Sequence, residues 1–226
     1  MVRSLALKEL RELAGIAAIA GLAYVVILMH FTYWPILVTD SFVVANGRGY
    51  GAQEGVTFLQ GLFNSYYLWI AALTAIACGF RQTLWEERQG TWQFLIHRPI
   101  ERWKVHAVKL VVGLGVGMIL SAIPIVLYGS WGAYLRQAPA PYEWSMSLDA
   151  WKTWWSMPCL YLGAFLSGFR PARWIGTRLF PLAATAMMAT FCNGYPYWQL
   201  SLPIACAMCT GLIVCIYGVS CTRDDA

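Results

Sequence analysis

The sequence is short of charge. Only 12% of its 226 residues are Asp, Glu, Lys or Arg, roughly half the share that is usual in soluble globular domains. The deficit is concentrated in five runs that contain none of these residues. A helix needs roughly 20 apolar residues to cross a bilayer, so each of the first four runs can supply one span and the last can supply two. This pattern excludes a water-soluble enzyme or nucleic-acid-binding domain and predicts an all-α integral membrane protein with six transmembrane helices. The runs are 13–39, 55–80, 110–135, 153–169 and 179–222.

Two further absences argue against particular functions. No Gly-x-x-x-x-Gly-Lys-Ser/Thr segment, the loop that holds nucleotide phosphates, occurs in the chain, so we do not expect ATP hydrolysis here. The charge-free runs also offer no acidic or basic side chain for a proton or sodium relay, which disfavours an ion-coupled transporter. His30 is the one ionisable side chain near the middle of a predicted span, thiols aside. We expect it to be a packing residue and leave a further role open.

The longest run must be divided, and the segment 192–199 shows where. Asn193, Gly194 and Pro196 are residues that interrupt helices, and the segment also holds three aromatic residues of the kind that favour the membrane–water interface. The chain is then a single transmembrane domain, 1–226. Its predicted spans are about 14–38, 58–80, 107–131, 152–169, 177–192 and 199–220.

Lysines and arginines indicate the orientation of the spans. With six spans both termini lie on one side of the membrane, and only Arg48, Arg136 and Lys152 of the 16 basic residues fall on the other side. Because short cytoplasmic loops are enriched in Lys and Arg, we expect both termini in the cytoplasm. The net charge of +5 therefore reflects topology, and we do not interpret it as a nucleic-acid surface.

Residues 1–13 alternate apolar and charged side chains at helical spacing. This pattern predicts an N-terminal amphipathic helix that lies on the inner membrane surface, with its basic residues towards anionic headgroups. The alternative is that these residues are a cytoplasmic extension of the first span.

The segment 81–104, between the second and third predicted spans, is unlike the rest because it is both charged and rich in aromatic residues. Gly90 can end one helix and Thr91 can cap the next, and Pro99 ends that short helix or begins another. A helix as short as 91–97 is unstable alone in water. We therefore expect it to dock against a protein partner through its aromatic side chains.

This segment resembles the cytoplasmic loop of the permease subunits of type 2 ABC transporters (the ABC-2 family). In that family an acidic residue and a Gly-Thr pair are followed by Pro, then Arg, then a Lys at the head of the third span. The segment 7–12 is similar to the surface helix that precedes the family's first span. The matching residues of the loop are Glu86, Gly90, Thr91, Pro99, Arg102 and Lys109.

The resemblance implies a permease, and most members of the family are exporters. It implies a separate ATPase subunit, expected in two copies, that binds ATP and Mg²⁺ and receives the short coupling helix in a cleft. It also implies a second permease, the same or a different chain, in a bacterial cytoplasmic (inner) membrane. No cofactor or metal is expected in this chain itself. The expected coupling residues are Glu86, Arg88, Gly90, Thr91, Trp92, Phe94, Leu95, Pro99 and Arg102.

Two other functions stay open. One is a membrane anchor or regulatory subunit of an ATPase complex that passes no substrate, because polar residues that could line a path are sparse. The other is an intramembrane lipid-modifying enzyme, which would need clustered His, Asp or Glu near the membrane surface. The polar candidates within the spans are Thr74, Ser121, Ser167, Thr185 and Thr190.

The remaining candidates are two glycines that could form a helix contact and two cysteines that could bind a metal. Gly113 and Gly117 have the spacing that permits close helix contact in lipid, either within the chain or across a dimer. Cys206 and Cys209 face the same side of a helix and could bind a soft metal. No second pair at ligand spacing and no His accompany them, so we expect the cysteines to be packing residues.

Overall fold

The computed structural model describes residues 2–32, 58, 62–89, 102–134, 142–170, 177–195 and 197–222. Every regular element in these ranges is helical, including a short 3-10 turn, Trp144–Ser147, that leads into the fourth helix. The α-helices are α1 (Val2–Thr32), α2 (Leu62–Gln89), α3 (Arg102–Tyr134), α4 (Leu148–Phe169), α5 (Phe180–Gly194) and α6 (Trp198–Thr222).

Four of these helices are long and apolar enough to cross a bilayer: α1, α2, α3 and α6. The chain is therefore an all-helical, multi-pass membrane protein. Helix α5 has 15 residues, which gives a length of roughly 22 Å against a hydrocarbon core of about 30 Å. Helix α4 is longer, but it begins with the polar residues Asp149 and Lys152 and is mostly covered by other helices. The count of six spans and the cytoplasmic position of the termini stay predictions.

The N-terminal segment differs from the sequence expectation. A separate surface helix over 1–13 is not present, since α1 runs without a break from Val2 to Thr32. This geometry corresponds to the alternative in which these residues extend the first span. Glu9 and Leu13 are fully buried against other helices, whereas Leu10 is about half exposed.

Helices α2 and α3 also extend further than the predicted spans. Helix α2 continues to Gln89 and α3 begins at Arg102, whereas the predicted spans end at 80 and begin at 107. Half of the segment 81–104, namely residues 81–89 and 102–104, is therefore helix. The predicted short coupling helix, 91–97, lies outside the described residues.

Helix α4 is the centre of the bundle. Sixteen of its 22 residues are buried, and it packs against α2, α3, α5 and α6. Small residues permit this packing, as is common between helices in lipid. At Gly79 of α2, an added Cβ would lie 2.8 Å from the backbone oxygen of Tyr161 and 2.9 Å from the backbone nitrogen of Phe165. The two helices thus approach each other nearly backbone to backbone.

Aromatic side chains close the end of the bundle at which α1 ends, α2 begins and α3 ends. Phe63 of α2 stacks on Tyr128 of α3, with ring centroids 4.4 Å apart, and Phe31 of α1 meets Phe63 edge to face at 5.6 Å. Such pairs add about 0.5–1.5 kcal/mol beyond the area that they bury. The charged ends of the three helices therefore lie at the opposite end of the bundle.

Replacing Gly79 by Ala tests the contact between α2 and α4. The new methyl group meets backbone atoms that cannot rotate away, so we expect the free energy of unfolding to fall by about 1–3 kcal/mol. Unfolding in detergent micelles, followed by circular dichroism, measures the change. The matched control is Gly115→Ala, where nothing lies within 4 Å of the new Cβ. Equal stability of the two variants would contradict the close approach.

Candidate functional site

Four polar side chains from four helices meet inside the bundle. They are Glu9 of α1, Gln82 of α2, Lys109 of α3 and Tyr161 of α4, and each is at most 3% exposed. Burying charged and polar groups costs free energy unless they bind one another. The contacts among them therefore decide whether this site is stable.

Glu9 and Lys109 form a buried ion pair. Lys109 Nζ lies 3.3 Å from Glu9 Oε1 and donates a hydrogen bond to the backbone oxygen of Gln82 at 3.2 Å. The side-chain amide of Gln82 donates to Glu9 Oε2 at 3.2 Å. Both carboxylate oxygens of Glu9 are thus engaged, one by a cation and one by an amide.

Gln82 connects this pair to the other two helices. Its Nε2 also donates to the backbone oxygen of Lys109 at 3.0 Å. Its Oε1 accepts a 2.5 Å hydrogen bond from the hydroxyl of Tyr161, which also lies 3.3 Å from the backbone oxygen of Lys109. One amide therefore bonds to α1, α3 and α4, and we refer to Glu9, Gln82, Lys109 and Tyr161 as the polar network.

Gly113 makes room for the polar network. A Cβ at this position would collide with the Tyr161 hydroxyl and with Gln82 Oε1. The close contact suggested by the Gly113–Gly117 spacing is therefore made within the chain at Gly113. Gly117 has no atom within 4 Å of its added Cβ, and it lines a narrow cleft between α2, α3 and α4.

The polar network lies near the end of α2 and the start of α3. At 1.5 Å per residue, Gln82 is roughly 10 Å from the end of α2 at Gln89, and Lys109 is roughly 10 Å from the start of α3 at Arg102. The polar network therefore joins α2 and α3 to α1 and α4 about two helical turns from these two ends.

Further contacts strengthen this end of the bundle. Arg81 Nε lies 3.5 Å from the backbone oxygen of Glu12, and the Arg81 guanidinium sits 4.0 Å from the ring centroid of Trp85. Arg178 is buried and donates to the backbone oxygens of Ser167 at 3.1 Å and Gly168 at 2.8 Å. These last carbonyls of α4 have no partner within the helix, so Arg178 caps its C-terminus.

The expected coupling residues are not tested by the structure. Glu86, Arg88 and Arg102 belong to the backbone of α2 and α3, and their side chains lie outside the description. The remaining six lie outside the described residues altogether: Gly90, Thr91, Trp92, Phe94, Leu95 and Pro99.

The family resemblance included Lys109 at the head of the third span, but no sequence pattern indicated its partners. Glu9 was one of several charges on 1–13, and Gln82 follows a charge-free run without any distinguishing spacing. Tyr161 stands in the middle of an apolar run. A buried polar contact between positions this far apart leaves no local periodicity, so only a signal that joins distant positions could have found it.

The polar candidates within the helices bond mainly to their own backbone. Thr74 donates to the Ile70 oxygen at 2.7 Å and Ser121 to the Gly117 oxygen at 2.7 Å. Thr185 and Thr190 make equivalent bonds, and Ser167 accepts one from the Leu182 amide at 3.1 Å. His30 and Cys206 are exposed. Within the part of the chain that the structure describes, no three His, Cys, Asp or Glu residues come together to hold a metal ion.

Comparison with family models, with curated proteins and with solved structures finds no match for this chain.

Replacing Lys109 by Met tests the buried ion pair. The variant leaves the Glu9 carboxylate buried without its cation, so we expect the free energy of unfolding to fall by about 3–5 kcal/mol. Denaturation in detergent micelles measures the change. The control is Lys104→Met on the same helix, where the exposed side chain contributes at most about 1 kcal/mol.

The double variant Glu9→Met with Lys109→Met adds a second comparison. Replacing both charges by apolar groups removes the uncompensated carboxylate, so we expect it to recover most of the stability lost in Lys109→Met. If the ion pair contributed nothing to stability, Lys109→Met would lower the free energy of unfolding as little as Lys104→Met does. The second substitution would then restore nothing.

Proposed function

We propose that this chain is the membrane-spanning permease subunit of an ATP-driven transporter of the type 2 ABC class, and its resemblance favours an exporter. A separate ATPase subunit binds ATP and Mg²⁺ and engages the segment 81–104. The observation that carries the proposal is the position of the polar network. It joins four helices about 10 Å from the ends of α2 and α3, and the segment with the permease pattern connects those two ends.

The polar network gives this segment a mechanical connection to the bundle. A load that tilts α2 and α3 also moves α1 and α4, because separating α1 from α3 breaks the Glu9–Lys109 ion pair and separating α4 from α2 breaks the hydrogen bond from Tyr161 to Gln82. Helix α4 packs against α2, α3, α5 and α6, so its displacement also reaches α5 and α6. Closure of the ATPase subunits would in this way switch the bundle between inward-open and outward-open states.

In this proposal the residues of the segment have distinct roles. Glu86, Arg88 and Arg102 set the register of docking by charge, while Gly90, Thr91 and Pro99 define the short coupling helix. Trp92, Phe94 and Leu95 supply the contact that is buried in the ATPase cleft, since aromatic anchors dominate such interfaces. Both termini would lie in the cytoplasm, with six spans in a bacterial cytoplasmic membrane and a second permease completing the pathway.

A second candidate function is a membrane anchor of an ATPase complex that passes no substrate. The hydroxyl groups of Thr74, Ser121 and Thr190 favour it, because each donates its hydrogen bond to the backbone of its own helix. The two candidates share the ATPase partner and differ in whether substrate crosses the bilayer.

Purification of the tagged chain in mild detergent tests the shared partner. We expect an ATPase subunit with a phosphate-binding loop to co-purify and to hydrolyse ATP in the eluate. Scrambling residues 91–97 should abolish its co-purification while the chain still inserts into the membrane. A well-folded chain that never retains an ATPase would contradict both candidates.

The double variant Trp92→Asp with Leu95→Asp tests the coupling role. Two charges in the docked surface should weaken the ATPase contact, and we expect ATP-driven transport by reconstituted vesicles to fall at least tenfold while the amount of inserted protein stays unchanged. The control is Tyr134→Asp, at a side chain that is 86% exposed at the far end of α3. Unchanged transport in the double variant would rule out coupling through this segment, and ATPase binding without any transport would support the anchor.

A further inference from the structure

Two cysteines from different helices touch in the middle of the bundle. Cys159 of α4 is 1% exposed and Cys209 of α6 is half-buried, and their Sγ atoms lie 3.3 Å apart. Both thiols are free. The sequence pattern pairs Cys209 with Cys206 of the same helix, but Cys206 is exposed and Cys209 contacts Cys159 instead.

The surroundings restrict which ligand two thiols can hold. Zinc takes four protein ligands in a closed site, and no third His, Cys, Asp or Glu completes a metal-binding group within the described residues. A copper(I) ion with two thiolates carries a net negative charge, which is costly to bury in an apolar region. A trivalent arsenic or antimony centre that binds two thiolates and one hydroxide is uncharged, so it avoids that cost.

The distance between the sulfurs fits such a centre. Arsenic(III) is pyramidal, and two bonds of about 2.3 Å, similar to a zinc–thiolate bond, span roughly 3.3 Å when they meet near a right angle. The thiols therefore need little movement to bind it. Arsenous acid, As(OH)₃, is itself uncharged near neutral pH and can approach through the half-buried side of Cys209.

We propose that Cys159 and Cys209 form a dithiol site that binds trivalent arsenic or antimony, supplied as the uncharged hydroxide such as As(OH)₃. In the reaction, As(OH)₃ and two thiols give (RS)₂As–OH and two water molecules. Two As–O bonds break and two As–S bonds form, and each thiol proton leaves with a hydroxide as water. No oxidation state changes, so the step needs no oxidant or reductant. The product links α4 to α6 covalently.

The test uses the full chain in detergent micelles with arsenite alone as the probe. After excess arsenite is removed by washing with a monothiol such as glutathione, elemental analysis counts the arsenic that remains. We expect one arsenic per chain, released by the dithiol dithiothreitol. Cys159→Ser and Cys209→Ser should each lose this arsenic. Cys206→Ser, a matched change on α6, should retain it.

A site at Cys159 and Cys209 and a site at Cys206 and Cys209 make opposite predictions for Cys159→Ser and for Cys206→Ser. Retention in Cys159→Ser with loss in Cys206→Ser would assign the arsenic to Cys206 and Cys209 and overturn the proposal. Retention in all three variants, or no retention in the folded natural chain, would overturn it as well. Each variant is checked for the elution volume and helical circular dichroism of the natural chain.

A second measurement needs no variant and so does not depend on whether one folds. The natural chain is alkylated with N-ethylmaleimide after denaturation, with and without prior arsenite, and the modified peptides are identified by mass spectrometry. We expect arsenite to protect Cys159 and Cys209 together. Protection of Cys206 with Cys209, or of neither partner, would contradict the site.

Discussion

The burial of two opposite charges at one point controls the architecture of this protein. Glu9 and Lys109 are almost completely removed from solvent, and either charge alone would be costly at that position. Their pairing, together with the hydrogen bonds from Gln82, makes the position tolerable only when α1, α2 and α3 adopt one relative register. Tyr161 extends the same requirement to α4.

Small residues permit the close approach of helices that the polar network requires. Gly113 leaves the space in which the Tyr161 hydroxyl and the Gln82 amide meet, and Gly79 lets α2 lie against the backbone of α4. In lipid, helices gain little from the hydrophobic effect, so close packing and interhelical hydrogen bonds supply the association. The same part of the bundle thus combines close packing with buried hydrogen bonds, near the end of α2 and the start of α3.

This combination motivates the proposed function. A segment that receives work from a partner must transmit it to helices that it does not touch, and a network shared by four helices provides the connection. The thiol pair at Cys159 and Cys209 lies further along α4, where α4 meets α6. Its proposed ligand depends only on the distance between the two sulfur atoms and on the neutrality of the product. The proposed site is therefore independent of the permease proposal.

The sequence alone determined the class of this protein, because charge-free runs long enough to cross a bilayer leave few folds other than a helical membrane bundle. It also located the apolar parts of α2, α3 and α6, which lie within such runs, although α2 and α3 extend beyond them. Tertiary structure alone decided the partners: Glu9 with Lys109, Gln82 with Tyr161, and Cys209 with Cys159 and not with Cys206. It also decided that 1–13 continues into α1, since an amphipathic stripe has the same period whether it covers a membrane surface or a neighbouring helix. Periodicity records which side of a helix is buried, whereas the identity of what buries it depends on residues far away in the chain.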